Sequence, residues 1–202
     1  MYLWELVFQI NSIYSSQMNI YNYILNSNRT VFNAQTLSGF DKPDIKNLSK
    51  SLSYYVKKGL ILNPRKGVYA KPNYSKEEMA CSIFRPSYIS LEYVLSRAGV
   101  TFQYSEDITS VCYLSRTIEI DGNSYSYRKI NPMILFNQDG IIQNDNIAIA
   151  TPERAFLDMI YLSGGQVYFD NLTPLNKNVI DKLLLSIYSS KKMFERTKQI
   201  IG

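Results

Sequence analysis

The chain has 202 residues, 46% apolar and 13% aromatic, with 22 basic side chains, 17 acidic ones and no histidine. That length holds one domain or two small ones, and the apolar content excludes a disordered chain. With no histidine and only Cys81 and Cys112, far apart and flanked by apolar residues, no common zinc pattern can be written. The two cysteines read as buried free thiols of a reducing cytosol.

The charge is unevenly placed. Up to Ser75 there are nine bases (Arg29, Lys42, Lys46, Lys50, Lys57, Lys58, Arg65, Lys66 and Lys71) and three acids (Glu5, Asp41 and Asp44), a net +6. The remainder carries thirteen bases and fourteen acids, a net −1. Such asymmetry predicts a polyanion-binding module, residues 1–75, joined to a near-neutral one, residues 76–202.

The opening "MYLWELVFQI" is apolar but short, holds Glu5, and lacks both a basic lead and a small-residue cleavage site. It reads as a core or subunit-interface segment, not a signal peptide or membrane span, and predicts a cytoplasmic protein. From Ser16, "SQMNIYNYILNSN" puts Ile20, Tyr21, Ile24 and Leu25 on one helical face, stopped by Asn26, Ser27 and Asn28. In "TVFNAQTLSGF", Asn33 can cap a short helix carrying Ala34 and Leu37 and ended by Gly39. "DKP" is a turn, with Pro43 suited to the first turn of the next helix.

That helix is predicted over 43–58. Ile45, Leu48, Leu52 and Val56 step by three and four into one apolar stripe. At about 100° per residue, Lys46, Lys50, Ser53 and Lys57 form a second stripe well away from the first. Gly59 terminates the helix. "LIL" reads as a strand, "NPRKG" as a turn and "VYAKP" as a returning strand, with Arg65 and Lys66 at the tip. Helix, short helix, helix and basic hairpin are the order of a winged helix-turn-helix. The predicted DNA contacts are Lys42, Lys46, Lys50, Ser53, Tyr54, Lys57, Arg65 and Lys66, because affinity for a duplex comes mainly from neutralising phosphates. Tyrosine is frequent, and most of Tyr54, Tyr55, Tyr69, Tyr74, Tyr125 and Tyr127 read as core or β-face residues. Tyr54 stands apart, beyond the lysine stripe and away from the core.

Past Tyr74, "SKEEMACSIF" reads as a helix capped by Ser75, with Glu77 and Glu78 in its first turn. In "RPSYISLEYVLSRAGV", Ser90 opens a helix holding Leu91, Val94 and Leu95, closed by Gly99. From Ile108 to Phe136 lie β-rich runs, "ITSVCYLS", "TIEI", "SYSYRKI" and "MILF", with a hairpin signal at "DGN". "NIAIATPERAFLDMIYLSGG" reads as strand, turn and amphipathic helix with Pro152 at its start. The tail from Asn176 is one more long helical pattern. The fold class is α+β, a winged helix followed by a mixed α/β domain.

Three landmarks, "KKGLILNPRKGVYA", "YISLEYVLSRAGV" and "ATPERAFLDMIYL", occur in this order in a known family. Over about Asn19 to Leu162 the chain resembles the AbiEi-type antitoxins of bacterial abortive-infection toxin–antitoxin systems. The resemblance implies an N-terminal winged helix that binds promoter DNA and represses the antitoxin–toxin operon. It also implies a C-terminal domain that counters a nucleotidyltransferase-like toxin, in a type IV scheme that needs no stable complex between the two. The tail after Gly165 aligns with nothing in the family.

Catalytic sets compete poorly. Glu153 and Asp158 are five apart on a helix and do not share a face, whereas Arg154 and Asp158 are four apart and can pair. "SGG" at Ser163 to Gly165 reads as a helix stop. Asp107, Glu119, Asp121 and Lys129 lack the strand-borne acid–x–Lys element of a restriction-type nuclease, and no P-loop or dinucleotide fingerprint occurs. The chain is expected not to be an enzyme and to use no cofactor or metal, with a homodimer left open. The alternatives are a winged-helix protein adaptor, then a metal-dependent nuclease or nucleotidyltransferase with a DNA-binding arm.

Overall fold

The computed structural model describes residues 20–38, 45–103 and 105–202, with the backbone alone at 45–47. The opening apolar segment, Gly39, the turn holding Lys42 and Pro43, and Asp44 lie outside the described residues. The chain divides into two compact units, Met1–Tyr74 and Ser75–Gly202. Both contain helices and strands, so the chain is α+β.

The first unit runs α1 (Ile20–Asn26), β1 (Val31–Asn33), α2 (Ala34–Ser38), α3 (Ile45–Lys57), β2 (Leu62–Arg65) and β3 (Val68–Ala70). The strands form one sheet in the order β1-β3-β2, antiparallel throughout. Ile24, Phe32, Leu37, Leu48, Leu52 and Ile61 make its buried core, with Val56 packed against the edge. All three helices and β1 contribute to it, and the non-directional burial of apolar surface fastens them together.

The predicted helices of this unit stand, with three differences. Leu25 is exposed, because the buried stripe of α1 is centred on Ile24 and Leu25 lies about 100° beyond it. The Leu25 and Ser27 carbonyls at this helix end accept from Lys71 Nζ, at 3.1 and 2.6 Å, so that cation caps α1. Strand β1 is the second difference: no strand was expected at Val31–Asn33, and it is defined only by its pairing with β3.

The third difference is the hairpin. The expected strand "LIL" is displaced: Ile61 is a core residue before the strand, and β2 covers "LNPR". The register slips between Leu62 and Arg65, and Pro64, which has no N–H to offer a ladder, sits within that irregularity. Asn63 Nδ2 spans it, donating to the Arg65 and Val68 carbonyls at 2.9 and 2.8 Å. The turn is therefore Lys66 and Gly67, with Gly67 at φ +80. Arg65 is not at the tip but on the strand, opposite Val68 and half-buried.

The second unit is built on a six-stranded mixed sheet, β6-β7-β5-β4-β9-β8. Its elements are α4 (Lys76–Ile83), β4 (Ser87–Ile89), α5 (Glu92–Arg97), β5 (Ile108–Cys112), β6 (Arg116–Ile120), β7 (Asn123–Lys129), α6 (Pro132–Phe136), β8 (Ile141–Asn144), β9 (Ile147–Ala150), α7 (Pro152–Ser163), α8 (Lys177–Ser186) and α9 (Lys191–Ile201). Ser75 caps α4 by accepting from the Glu78 N–H, and Thr151 caps α7 ahead of Pro152. Asp121 and Gly122, both at positive φ, make the predicted "DGN" hairpin between β6 and β7. Gly164 ends α7 in the left-handed region, so "SGG" is a helix stop.

Three expectations are corrected here. "MILF" is a helix: Asn131 Oδ1 accepts from the Met133 N–H at 2.8 Å and Pro132 opens the turn. Ser90 does not open a helix; α5 starts at Glu92, after Leu91 at φ 62. The tail is two helices, because the chain breaks at Tyr188 and restarts at the Ser190 cap. Cys81 and Cys112 are buried free thiols. Among the described residues no helix is long and apolar enough to cross a membrane.

Candidate nucleic-acid interface

Helix α3 has two faces with opposite fates. Leu48 and Leu52 are buried in the core, and about 120–180° away around the helix Lys50, Ser53, Tyr54 and Lys57 are exposed. Gly59, at φ +70, closes the helix in a Schellman arrangement: its N–H donates to the Val56 carbonyl at 3.0 Å, and that of Leu60 to Tyr55 at 3.0 Å. Lys57 in the last turn also suits the helix dipole. Lys50 and Lys57 lie about 10 Å apart along the axis.

The expected contacts divide accordingly. Lys50, Ser53, Tyr54 and Lys57 share one solvent face of α3. Lys66 is exposed at the hairpin turn. Arg65 stands beside it on β2 with its guanidinium partly withdrawn from solvent. Lys46 belongs to α3, and Lys42 lies outside the described residues.

Tyr54 is 55% exposed. Its ring meets Tyr55 edge to face, centroids 5.5 Å apart at 74°, and Tyr55 stacks on Tyr21 of α1 at 4.9 Å and 21°. Lys58 Nζ lies 5.8 Å from the Tyr54 ring centre.

In the second unit the stretch "TPERAFLD" builds something different. Arg154 and Asp158, both fully buried, face each other one turn apart on α7, Nε to Oδ1 3.6 Å. Arg154 donates to the carbonyls of Asp139 and Ile134, each at 2.8 Å, and to Tyr88 Oη at 2.9 Å. Asp158 accepts from Ser90 Oγ at 2.8 Å, Tyr188 Oη at 2.5 Å and Tyr88 Oη at 3.0 Å. One ion pair thus joins α7, β4, the loop after α6 and the end of α8.

Burial pushes the Asp158 carboxyl above the ordinary carboxylate value, and the Arg154 guanidinium and three hydroxyls pull against it. Burial pushes both tyrosines up, and the Asp158 charge adds to it, so their hydroxyls stay protonated donors. Burial opposes the Arg154 charge, but Tyr188, Asp158 and Tyr88 outweigh it and the group is held above its ordinary value. The i, i+4 spacing foretold the pair. Ser90, Tyr88 and Tyr188 carried no such signal, since they lie 66 to 70 and 30 residues from their partners.

The acids and lysine of the nuclease-like set do not come together. Glu119 and Asp121 stand at the turn end of the β6–β7 hairpin, and Lys129 at the other end of β7, about 20 Å away by strand rise. A separate cleft of about 530 Å³ is lined by Glu92, Asp107, Ser126, Arg128, Met159 and Tyr168, among others. Arg128 Nη2 donates to Glu92 Oε1 in its wall.

No protein-family model matches the chain, and no curated protein matches it either.

Proposed function

We propose that the first unit is a winged helix-turn-helix that binds duplex DNA, with α3 as the recognition helix and the β2–β3 hairpin as the wing. The observation that carries this reading is the opposed-face arrangement of α3. Its apolar face is spent on the core, while Lys50, Ser53, Tyr54 and Lys57 stand exposed together, with Lys66 exposed on the adjoining hairpin. The element order and the β1-β3-β2 sheet support it. The net +6 of the first 75 residues supplies the electrostatic term.

Lys46 and Lys50, toward the start of α3, suit the major groove, where each can reach a base edge while neutralising a bordering phosphate. Lys57 and the wing suit phosphates. On the strength of the resemblance, the protein acts in the bacterial cytoplasm as a repressor of its own operon. Residues 76–202 then supply the activity that counters a nucleotidyltransferase-like toxin.

Titration of a fluorescent duplex from the protein's own promoter, at several salt concentrations, tests the DNA reading. With Lys46, Lys50, Lys57 and Lys66 each on a phosphate, log K falls against log salt with a slope of about −3.6. Salt-independent affinity, or no binding at low salt, overturns it. Co-expression of a chain lacking 76–202 with the neighbouring toxin gene tests the division of labour; rescue by that truncation overturns it.

A further inference from the structure

We infer that Tyr54 is a specificity residue that reads the C5-methyl group of a thymine in the major groove; the inference rests on the winged-helix reading above. Surface lysines on a helix have a simple purpose in water, but an aromatic ring among them does not. Tyr54 has Lys50 four residues before it and Lys57 and Lys58 three and four after it, the spacings at which helix side chains are neighbours. More than half of its surface is open, on the same face as Lys50, Ser53 and Lys57.

The ring is also held. Tyr55 meets it edge to face and is itself stacked on Tyr21, so a row of three rings runs from α1 to the exposed face. A ring oriented before binding loses less rotamer freedom on contact. The cations around it supply the phosphate contacts, which leaves the ring to face the bases. Every base edge in the major groove presents hydrogen-bond donors or acceptors, and the one apolar feature there is the thymine methyl. An apolar ring edge carried between phosphate-anchoring lysines therefore has one apolar complement. The phenol hydroxyl is not required for this contact.

Duplexes selected from a random pool by the full-length chain provide the probe. They are resynthesised with deoxyuridine at each thymine in turn, which removes the methyl and leaves base pairing unchanged. Loss of one buried methyl contact, about 0.8 kcal/mol, corresponds to a roughly fourfold weakening. Wild type is expected to lose about fourfold at one position per bound copy. Tyr54→Phe keeps that loss, Lys50→Ala keeps it on a weaker baseline, and Tyr54→Ala abolishes it.

The inference is overturned if Tyr54→Ala retains the deoxyuridine penalty, or if Tyr54→Phe abolishes it and so reveals a hydroxyl–phosphate contact. It is also overturned if Tyr54→Ala alters the oligomeric state by light scattering and leaves base preference unchanged, which marks a protein contact instead. Binding without any methyl discrimination overturns this inference alone. A wild-type chain that binds no duplex at 50 mM salt overturns the winged-helix reading with it.

Discussion

The two units handle charge in opposite ways. On α3, Lys50 and Lys57 stand in water, and each gives the fold little, since an exposed cation is already well solvated. On α7, Arg154 and Asp158 are sealed from water and hydrogen-bonded by two backbone carbonyls and three hydroxyls. Removing an exposed lysine should leave the fold intact. Removing half of the buried pair strands the other half. Charge thus stands exposed to solvent in one unit and is locked into the core in the other.

The largest effect expected is at Asp158. Asp158→Ala leaves Arg154 without its counter-charge and three hydroxyls without their acceptor. Urea denaturation should show a loss of about 3–5 kcal/mol. Replacing the pair together, Arg154→Met with Asp158→Leu, should cost less than the single change. A loss below about 1 kcal/mol for Asp158→Ala would mean that the ion pair contributes no cohesion.

Cys81 sharpens the contrast through pH. Burial raises its thiol from 9.0 to about 11. The unfolded thiol ionises first, so its contribution is full below pH 9.0 and is lost as pH rises toward 11. Over that window wild type should lose about 3 kcal/mol more stability than Cys81→Ala. Parallel stability curves for the two would refute the shift. For the same reason native Cys81 should resist a thiol reagent at pH 8 and react in denaturant.

The exposed face is next. Lys50→Ala, Lys57→Ala and Lys66→Ala together should flatten the salt slope of DNA binding by about 2.7 units. That changes the loss of affinity between 50 and 200 mM salt by about 40-fold. Each single substitution should move the denaturation midpoint by no more than about 0.5 kcal/mol. A triple variant that unfolds would show that α3 uses these lysines for cohesion after all.

The smallest effect is at Tyr188→Phe, which removes one of the hydroxyls on Asp158 and keeps the ring. A cost of about 1–3 kcal/mol is expected, as for one hydrogen bond to a charged group. A neutral result would place the weight of the cluster on Tyr88 and Ser90.

Sequence by itself determined what depends on neighbours along the chain. The apolar stripe of α3, its Gly59 stop, the Ser75 and Pro152 helix starts, the "DGN" turn and the Arg154–Asp158 spacing all act within a few residues. The lysine face of α3 was legible for the same reason, since about half a helical turn separates it from the core stripe. Tertiary structure decided what depends on distant partners. Strands Val31–Asn33 and Ser87–Ile89 are three residues each, too short to show alternation, and exist only because β3, β5 and β9 pair with them. "MILF" is a four-residue apolar run, and such a run suits helix or strand until its Asn131 cap is weighed. The β2–β3 hairpin moved because Ile61 was drawn into the core, which took Arg65 off the tip. Ser90 carries the signature of a helix cap, yet the buried charge of Asp158, 68 residues away, draws its hydroxyl instead. Local rules set the elements; burial of apolar surface and of one ion pair chose which side chains each element could still offer to water.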